Sequence, residues 1–455
     1  MLPKTPNAIS STGQAKTCGW KSDPSDGAMS RFVRTLATVA KRHPATAALV
    51  RKFIFLKELF AHRKLIRPYV SSRRHTERDH IVDSPLLIGY FETDFGLGEY
   101  ARGLASALNT VGLPFSIYPY NSFTGRPRNE APWASRYDVE RVHSVNILCV
   151  APDEATRARR IIGRGHTKNS YNILSTFWEL PHAPETWRTA LEFFDELWTP
   201  NNFVAESFRP IFSKTISVIP PCVNLEIDPP TNRKQFNLDP AKFYFLYSFD
   251  LNSYPERKNP LAVAKAFEIA FGNTRDDVGL IFKINGSANL FPKIMSELEV
   301  IAKNNARITF FHGDWPRTDV LALLASIDCY VSLHRSEGFG LGMAESMHLG
   351  KPVIGTAFSG NADFLTAETG FPIPFTMRSV EEGEYPFHTG NLWAEPDIKV
   401  AAETMRFVAS RANEVQDKAL QGQAYIRQRY GPKAVGGLVA VRLRELPAIS
   451  PLRSK

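Results

Sequence analysis

Residues 332–359, SLHRSEGFGLGMAESMHLGKPVIGTAFS, constrain the fold more than any other part of this chain. The apolar run 328–333 has strand character, and residues 336–340 supply a polar, glycine-rich turn. An apolar-periodic segment follows, which Gly350 and Pro352 stop as a helix end does. Val353 and Ile354 open another strand, closed by Ser359, Gly360 and Asn361. Strand, loop, helix and strand in that order form the unit of an open parallel α/β sheet.

In this unit Glu337 sits at the loop tip and Glu345 lies eight residues later, on the helix. Both carboxylates can face one crevice, with Gly338, Gly340 and Gly342 letting the main chain approach a ligand. Free N–H groups at a helix start attract a phosphate, which the two acids would repel unless each binds something else. Sugar and ribose hydroxyls, good donors to a carboxylate, meet that requirement. The residues alone therefore point to a nucleotide-sugar pocket, against the plainer alternative of a solvated loop acid and one polar position of an amphipathic helix.

The string EGFGLGMAE, followed by GKPVIGT and SGNADFL, resembles the E-x7-E signature of retaining glycosyltransferases of family 4. Its extended form, SLHRSEGFGL, is similar to the subset that builds bacterial surface polysaccharides. The resemblance implies that Glu345 holds the ribose hydroxyls of a donor and Glu337 contacts the transferred sugar. It also implies that the amides of Gly338, Phe339, Gly340 and Leu341 meet sugar hydroxyls and phosphate, with His334 within reach of the donor.

The chain has 455 residues, enough for two or three domains, with the 43% hydrophobic and 22% charged composition of a globular protein. Four scattered cysteines form neither a disulfide framework nor a zinc motif, which suits a reducing cytoplasm. The net charge of +9 is uneven: residues 1–80 hold 16 Lys or Arg against 5 Asp or Glu, and the remainder 39 against 41. Excess positive charge belongs to an arm, so nucleic acid is not an expected partner of the body.

In residues 1–83 a Ser-, Pro- and Gly-rich stretch reads as disordered up to residue 28 and lacks a signal-peptide core. Beyond it Phe32, Leu36 and Val39, then Leu49, Phe53, Leu56 and Phe60, form helical apolar stripes flanked by Lys and Arg. Residues 29–67 are thus expected either to lie on an anionic membrane surface or to pack against the body. No apolar run reaches the ~20 residues of a spanning helix. A cytoplasmic protein, with peripheral contact at the inner face of the membrane, is the corresponding expectation.

Residues 84–222 read as a first α/β domain. A strand at 86–91 runs into ETDFGLGEYARGLASAL, where Gly96 and Gly98 form a turn ahead of a helix expected from Glu99. With Ala101 as a loose third small residue, a dinucleotide site of an oxidoreductase stays open on these residues alone. The string also resembles the glycine loop of family 4 enzymes, which implies donor contact for Gly96 and Gly98 and an acceptor role for Glu99. Further strands are expected at 115–118, 145–150, 171–176, 195–200 and 216–221. After the strand at 171–176 comes FWELPHAPETW, whose Trp178, Glu179 and His182 suit an acceptor sugar, the ring stacking and the polar groups bonding hydroxyls. The alternative makes Trp178 and Trp187 ordinary core.

Residues 223–240 read as a linker and 241–415 as a second α/β domain, with strands at 243–249, 279–285 and 307–312. Arg257 and Lys258 precede a helix start, where they can neutralise a departing diphosphate. RKNP resembles the family's Arg-Lys diphosphate site, although Asp250, Leu251 and Asn252 stand where many members carry a Gly-Arg pair. NLWAEPD resembles a closing element of the family, and residues 416–455 are expected to cross back onto the first domain.

Together these features predict an α/β protein with two Rossmann-like doubly wound domains facing across a cleft and a basic helical N-terminal extension, which matches the GT-B architecture that the resemblance implies. The resemblance implies a retaining transferase acting on a nucleoside-diphosphate sugar and a saccharide or lipid-linked saccharide acceptor. The catalytic residues expected are Glu337, Arg257 and Lys258; no cofactor and no metal are expected, the Arg-Lys pair replacing a divalent cation. A sugar-nucleotide epimerase of the same fold and a non-catalytic sugar-nucleotide-binding or scaffold protein are the alternatives.

Overall fold

A computed structural model of the chain describes residues 55–56, 59–70, 81–120, 126–127, 131–225, 229, 231–272, 275–410 and 412–447. The chain divides into two compact units, Met1–Ala61 and His62–Lys455. Of the first unit the described residues, 55–56 and 59–61, are helical. Most of the basic stretch 29–67 therefore lies outside the described residues. No helix among the described residues is long and apolar enough to cross a membrane.

The second unit is built on two six-stranded sheets. In the first lobe, β1 (Val82–Gly89), β2 (Ser116–Pro119), β3 (His143–Cys149), β4 (Tyr171–Ser175), β5 (Glu196–Thr199) and β6 (Thr215–Val218) pair in the order β2-β1-β3-β4-β5-β6. In the second lobe, β7 (Phe243–Asp250), β8 (Val278–Asn285), β9 (Ile308–His312), β10 (Cys329–Ser332), β11 (Val353–Thr356) and β12 (Phe371–Ile373) take the order β9-β8-β7-β10-β11-β12. Every pairing in both sheets is parallel. This is the two-domain doubly wound architecture expected from the sequence.

Parallel strands covered on both faces are apolar nearly throughout. The central strands follow this rule: FYFLYSFD in β7 and VGLIFKIN in β8 bury Phe245, Leu246, Leu280, Ile281 and Phe282 almost completely. The departure is Lys283, itself fully buried, whose ammonium donates to Gly313 O at 2.6 Å and to Asn285 Oδ1 and lies 5.0 Å from the Trp315 ring centroid. Burial pushes this ammonium down to about 8.

Strand order reverses between β1 and β3 in the first lobe and between β7 and β10 in the second. Such switch points open a crevice at the carboxyl ends of the strands, where ligands bind. Helix α1 (Gly96–Thr110) follows β1, and α2 (Asn202–Phe208) follows β5. In the second lobe α3 (Pro260–Phe271) follows β7, α4 (Arg317–Ser326) follows β9, and α5 (Leu341–His348) follows β10.

A hairpin, β13 (Phe375–Ser379) with β14 (Leu392–Pro396), leaves the second sheet and carries the loop 380–391. Helix α6 (Ile398–Ala409) then packs on α3. The next helix, α7 (Asn413–Tyr430), stays on the second lobe, with Gln423 Nε2 donating to His348 O at 3.1 Å and the Tyr430 ring against Phe339 and Phe364. The return to the first lobe is made by α8 (Pro432–Arg444), so the crossing begins later than residue 416. Val435 and Val439 enter the first-lobe core, and Arg442 binds the fully buried Glu196 through two contacts of 2.8 Å.

Candidate active site

The second switch point brings together the three residues expected to be catalytic. The turn Pro255–Lys258 follows β7, and the loop after β10 carries Glu337. Lys258 Nζ lies 2.5 Å from Glu337 Oε1, and Arg257 Nη1 lies 3.1 Å from Glu337 Oε2 and 2.8 Å from Ser336 O. The Arg257 side chain is 4% exposed and that of Glu337 12%, so this is a largely desolvated cluster with two cations and one anion. Burial by itself would push the Glu337 carboxyl up; the Lys258 ammonium and the Arg257 guanidinium overcome it and hold the group at about 2.

A pH dependence follows. The folded Glu337 carboxyl titrates below its ordinary value of 4.5, so its stabilising contribution is complete at neutral pH and is lost as pH falls from that value towards 2. Thermal unfolding of Glu337→Gln should therefore show a smaller loss of stability than the parent over this acid window.

The loop bearing Glu337 is gripped from both lobes. Ser359 Oγ accepts from Glu337 N at 2.8 Å, and Gly360 N donates to Glu337 O at 2.9 Å. From the first lobe the buried Asn201 caps α2, accepting from Val204 N at 3.0 Å, and donates to Gly338 O at 2.6 Å. Ser336 Oγ donates to Glu179 O. Two residues expected at the donor prove internal. His334 is fully buried, with Nδ1 3.0 Å from Ser332 Oγ and Nε2 2.9 Å from Asn361 Oδ1, and burial pushes its imidazole down. The Phe339 ring packs against Phe364 and Tyr430. Gly340 and Leu341 stand at the start of α5.

Glu345, on α5, is 5% exposed and forms a two-pronged pair with Arg317 at the start of α4: Nη1 lies 3.1 Å from Oε2, and Nη2 contacts Oε1. Burial raises the Glu345 carboxyl, and Arg317 opposes that rise. The guanidinium also faces the first lobe, with Nε 3.8 Å from Glu99 Oε1. Glu99 in turn pairs with Arg102 at 2.7 Å.

The glycine loop after β1 differs from expectation. Helix α1 begins at Gly96, so both glycines lie in its first turn. A Cβ at Gly98 would sit 2.3 Å from Thr93 O, while Arg102 Nη1 donates to Thr93 O, Phe91 O and Tyr90 O. Gly98 therefore lets the loop fold back onto α1. Gly96 stands in open space at the helix start.

Among the residues expected at the acceptor, Trp178 is 5% exposed and Nε1 donates to His182 O at 3.1 Å. It packs against Trp187, Tyr385 and Phe387, so its ring is core between the lobes. Glu179 accepts from Tyr385 OH at 2.8 Å and lies 3.9 Å from Arg257, beside the charged cluster. His182 is exposed, and its N–H donates to Asn391 Oδ1 at 2.9 Å. Arg317, Asn201 and Tyr385 join the site without having been read from the sequence. Of the three, only Asn201 carried a local sign, an Asn at a helix start after a strand.

Among the described residues no group of three or more His, Cys, Asp or Glu is arranged to hold a metal ion. What the cluster offers chemically is two fixed cations at a helix approach, one buried acid between them and a second acid on α5. Such an arrangement can receive an anion that gains charge.

Residues 228–411 match the model of the family described as glycosyl transferases group 1. No curated protein sequence matches the chain. Among solved structures, Anabaena Alr3699/HepE in complex with UDP and glucose superposes with TM-score 0.56 at 14% identity, covering 81% of this chain and 100% of that one. Sucrose-phosphate synthase from Thermosynechococcus elongatus gives TM-score 0.58 at 16% identity, with 81% and 100% covered. A glycosyltransferase from Rickettsia africae gives 0.56 at 14%, with 80% and 99% covered. The chain thus has the GT-B fold of these enzymes, and its second lobe carries the match to glycosyl transferases group 1.

Proposed function

We propose that this protein is a retaining, family 4 type glycosyltransferase that moves a sugar from a nucleoside diphosphate to a hydroxyl of a saccharide or lipid-linked saccharide in polysaccharide synthesis. The observation that carries this reading is the placement of Arg257, Lys258 and Glu337 together at the second switch point, in the lobe that matches glycosyl transferases group 1. The bond between the anomeric carbon and the diphosphate breaks, and the acceptor oxygen bonds to that carbon. The acceptor proton passes to the departing phosphate. Arg257 and Lys258 stabilise the charge growing on the diphosphate, which is why no metal cofactor is proposed. Glu337, paired with both cations, accepts hydrogen bonds from hydroxyls of the sugar.

Glu345, in its two-pronged pair with Arg317, is the proposed ribose acceptor. UDP bound to the Anabaena structure supports a nucleoside diphosphate as ligand, without fixing the base here. Calorimetry with the common nucleoside diphosphates tests this: one of them binds, Glu345→Gln weakens it about ten-fold, and the variant discriminates less against the 2′-deoxy analogue. Failure of every nucleoside diphosphate to bind would overturn the proposal.

A further inference from the structure

Trp178, expected from the sequence to stack an acceptor sugar, is buried. What covers it is the loop of the β13–β14 hairpin. The aromatic rings run as a chain: Tyr254 meets Tyr385 at 4.8 Å, Tyr385 meets Trp178 at 5.8 Å, and Phe387 meets Trp178 at 6.2 Å and Trp187 at 5.4 Å. The two ends of this chain are solvent-facing, Tyr254 being 36% and Phe387 45% exposed. Among the described residues from His62 onward, the other exposed Phe, Tyr or Trp is Phe407, on α6 against Phe371.

Tyr254 and Phe387 also share a backbone peculiarity. Tyr254 has φ 60° and Phe387 φ 57°, the left-handed region that bulky side chains rarely enter. Such strain persists only where the surroundings impose it, and it concentrates at functional positions. The surroundings here are those of the proposed reaction. Tyr254 starts the turn that carries Arg257 and Lys258, and Tyr385 donates to Glu179, which lies 3.9 Å from Arg257. Exposed aromatic faces beside a carboxylate suit a pyranose, whose axial C–H face packs on a ring while its hydroxyls donate to the acid.

We propose that Tyr254 and Phe387, the exposed ends of this chain of rings, are stacking platforms for sugar rings of the acceptor saccharide, with Glu179 accepting from its hydroxyls on the Tyr254 side. This rests on the reading of the cleft as a sugar-transfer site and assigns the acceptor side to the second-lobe hairpin as well as to the first lobe. Trp178 and Trp187 pack against Phe387, at 6.2 and 5.4 Å.

Saturation-transfer NMR tests it, with methyl glycosides of glucose, galactose, mannose and N-acetylglucosamine and the corresponding disaccharides as probes on the full chain saturated with its nucleoside diphosphate. Transfer should be strongest to axial C–H protons of at least one probe. Affinity for that probe should fall about ten-fold in Phe387→Ala and in Tyr254→Ala. Phe387→Tyr and Tyr254→Phe should restore it, a rescue that separates loss of stacking from loss of fold, which thermal unfolding reports independently. Absence of transfer to every probe, or equal binding by both alanine variants, overturns the platform. If a nucleoside diphosphate still binds in that case, the wider reading of the cleft survives; if none binds, both fail.

Discussion

Replacing Lys258 by Met is expected to lower sugar transfer by about 10²–10³-fold, the typical loss on removing one preorganised group that stabilises charge developing in a transition state. The ammonium lies 2.5 Å from Glu337 Oε1, with the two side chains only 17% and 12% exposed, so a freely diffusing cation does not take its place. The same change leaves Glu337 paired with Arg257 at 3.1 Å, so no buried charge is left without a partner and the cost to stability stays below the roughly 3–5 kcal/mol of breaking a buried pair. Thermal unfolding read beside turnover therefore separates stability from catalysis: the unfolding transition persists while turnover stays low. Transfer by Lys258→Met within a few-fold of the parent would remove this lysine from the mechanism.

A second large effect is expected from a residue with no polar side chain. A Cβ on Gly360 would lie 2.2 Å from Gly338 O and 2.6 Å from Asn201 Nδ2. The first of these is backbone of the loop that carries Glu337 and cannot swing aside. Gly360→Val must therefore push that loop away from Asn201 or open the lobes. A shift of about 1 Å at a reacting group costs on the order of 10²-fold in rate. Steady-state assays should show a loss at least this large, with near-native circular dichroism. An active Gly360→Val would show that the grip of Asn201 on Gly338 O does not position the acid.

The strands were legible because parallel, doubly covered strands spell themselves out as apolar runs such as 243–249 and 279–285. Residues 371–373 escaped, being short and interrupted by Pro372, as suits the edge position of β12. Arg257, Lys258 and Glu337 were legible because each sits just past a strand end, where the fold has its crevice. Function could not be separated from support among their neighbours. His334 and Phe339 lie in the same string as Glu337, yet their side chains turn into the core, a direction that local sequence does not encode.

The hairpin loop was illegible for a different reason. Residues 380–391, VEEGEYPFHTGN, carry neither a helical nor a strand period, and their partners Glu179 and His182 lie 206 and 209 residues away. Arg317 had the same handicap at 28 residues from Glu345, because nothing local marks a surface arginine as the partner of a buried acid. The later return crossing reflects Gly436, where a Cβ would lie 2.3 Å from Ala107 O; this small residue admits the close helix contact that residues 413–430 do not make.

The measurement that tests the central claim most directly is nucleoside diphosphate release from a panel of nucleoside-diphosphate sugars, with and without membrane lipid extract, read together with the glycosylated product. The account predicts release from one donor, stimulated by the extract and matched by product, and lost in Glu337→Ala and Lys258→Ala. Intact donors throughout, alongside tight nucleotide binding by the parent chain, would contradict it and leave a binding protein in its place.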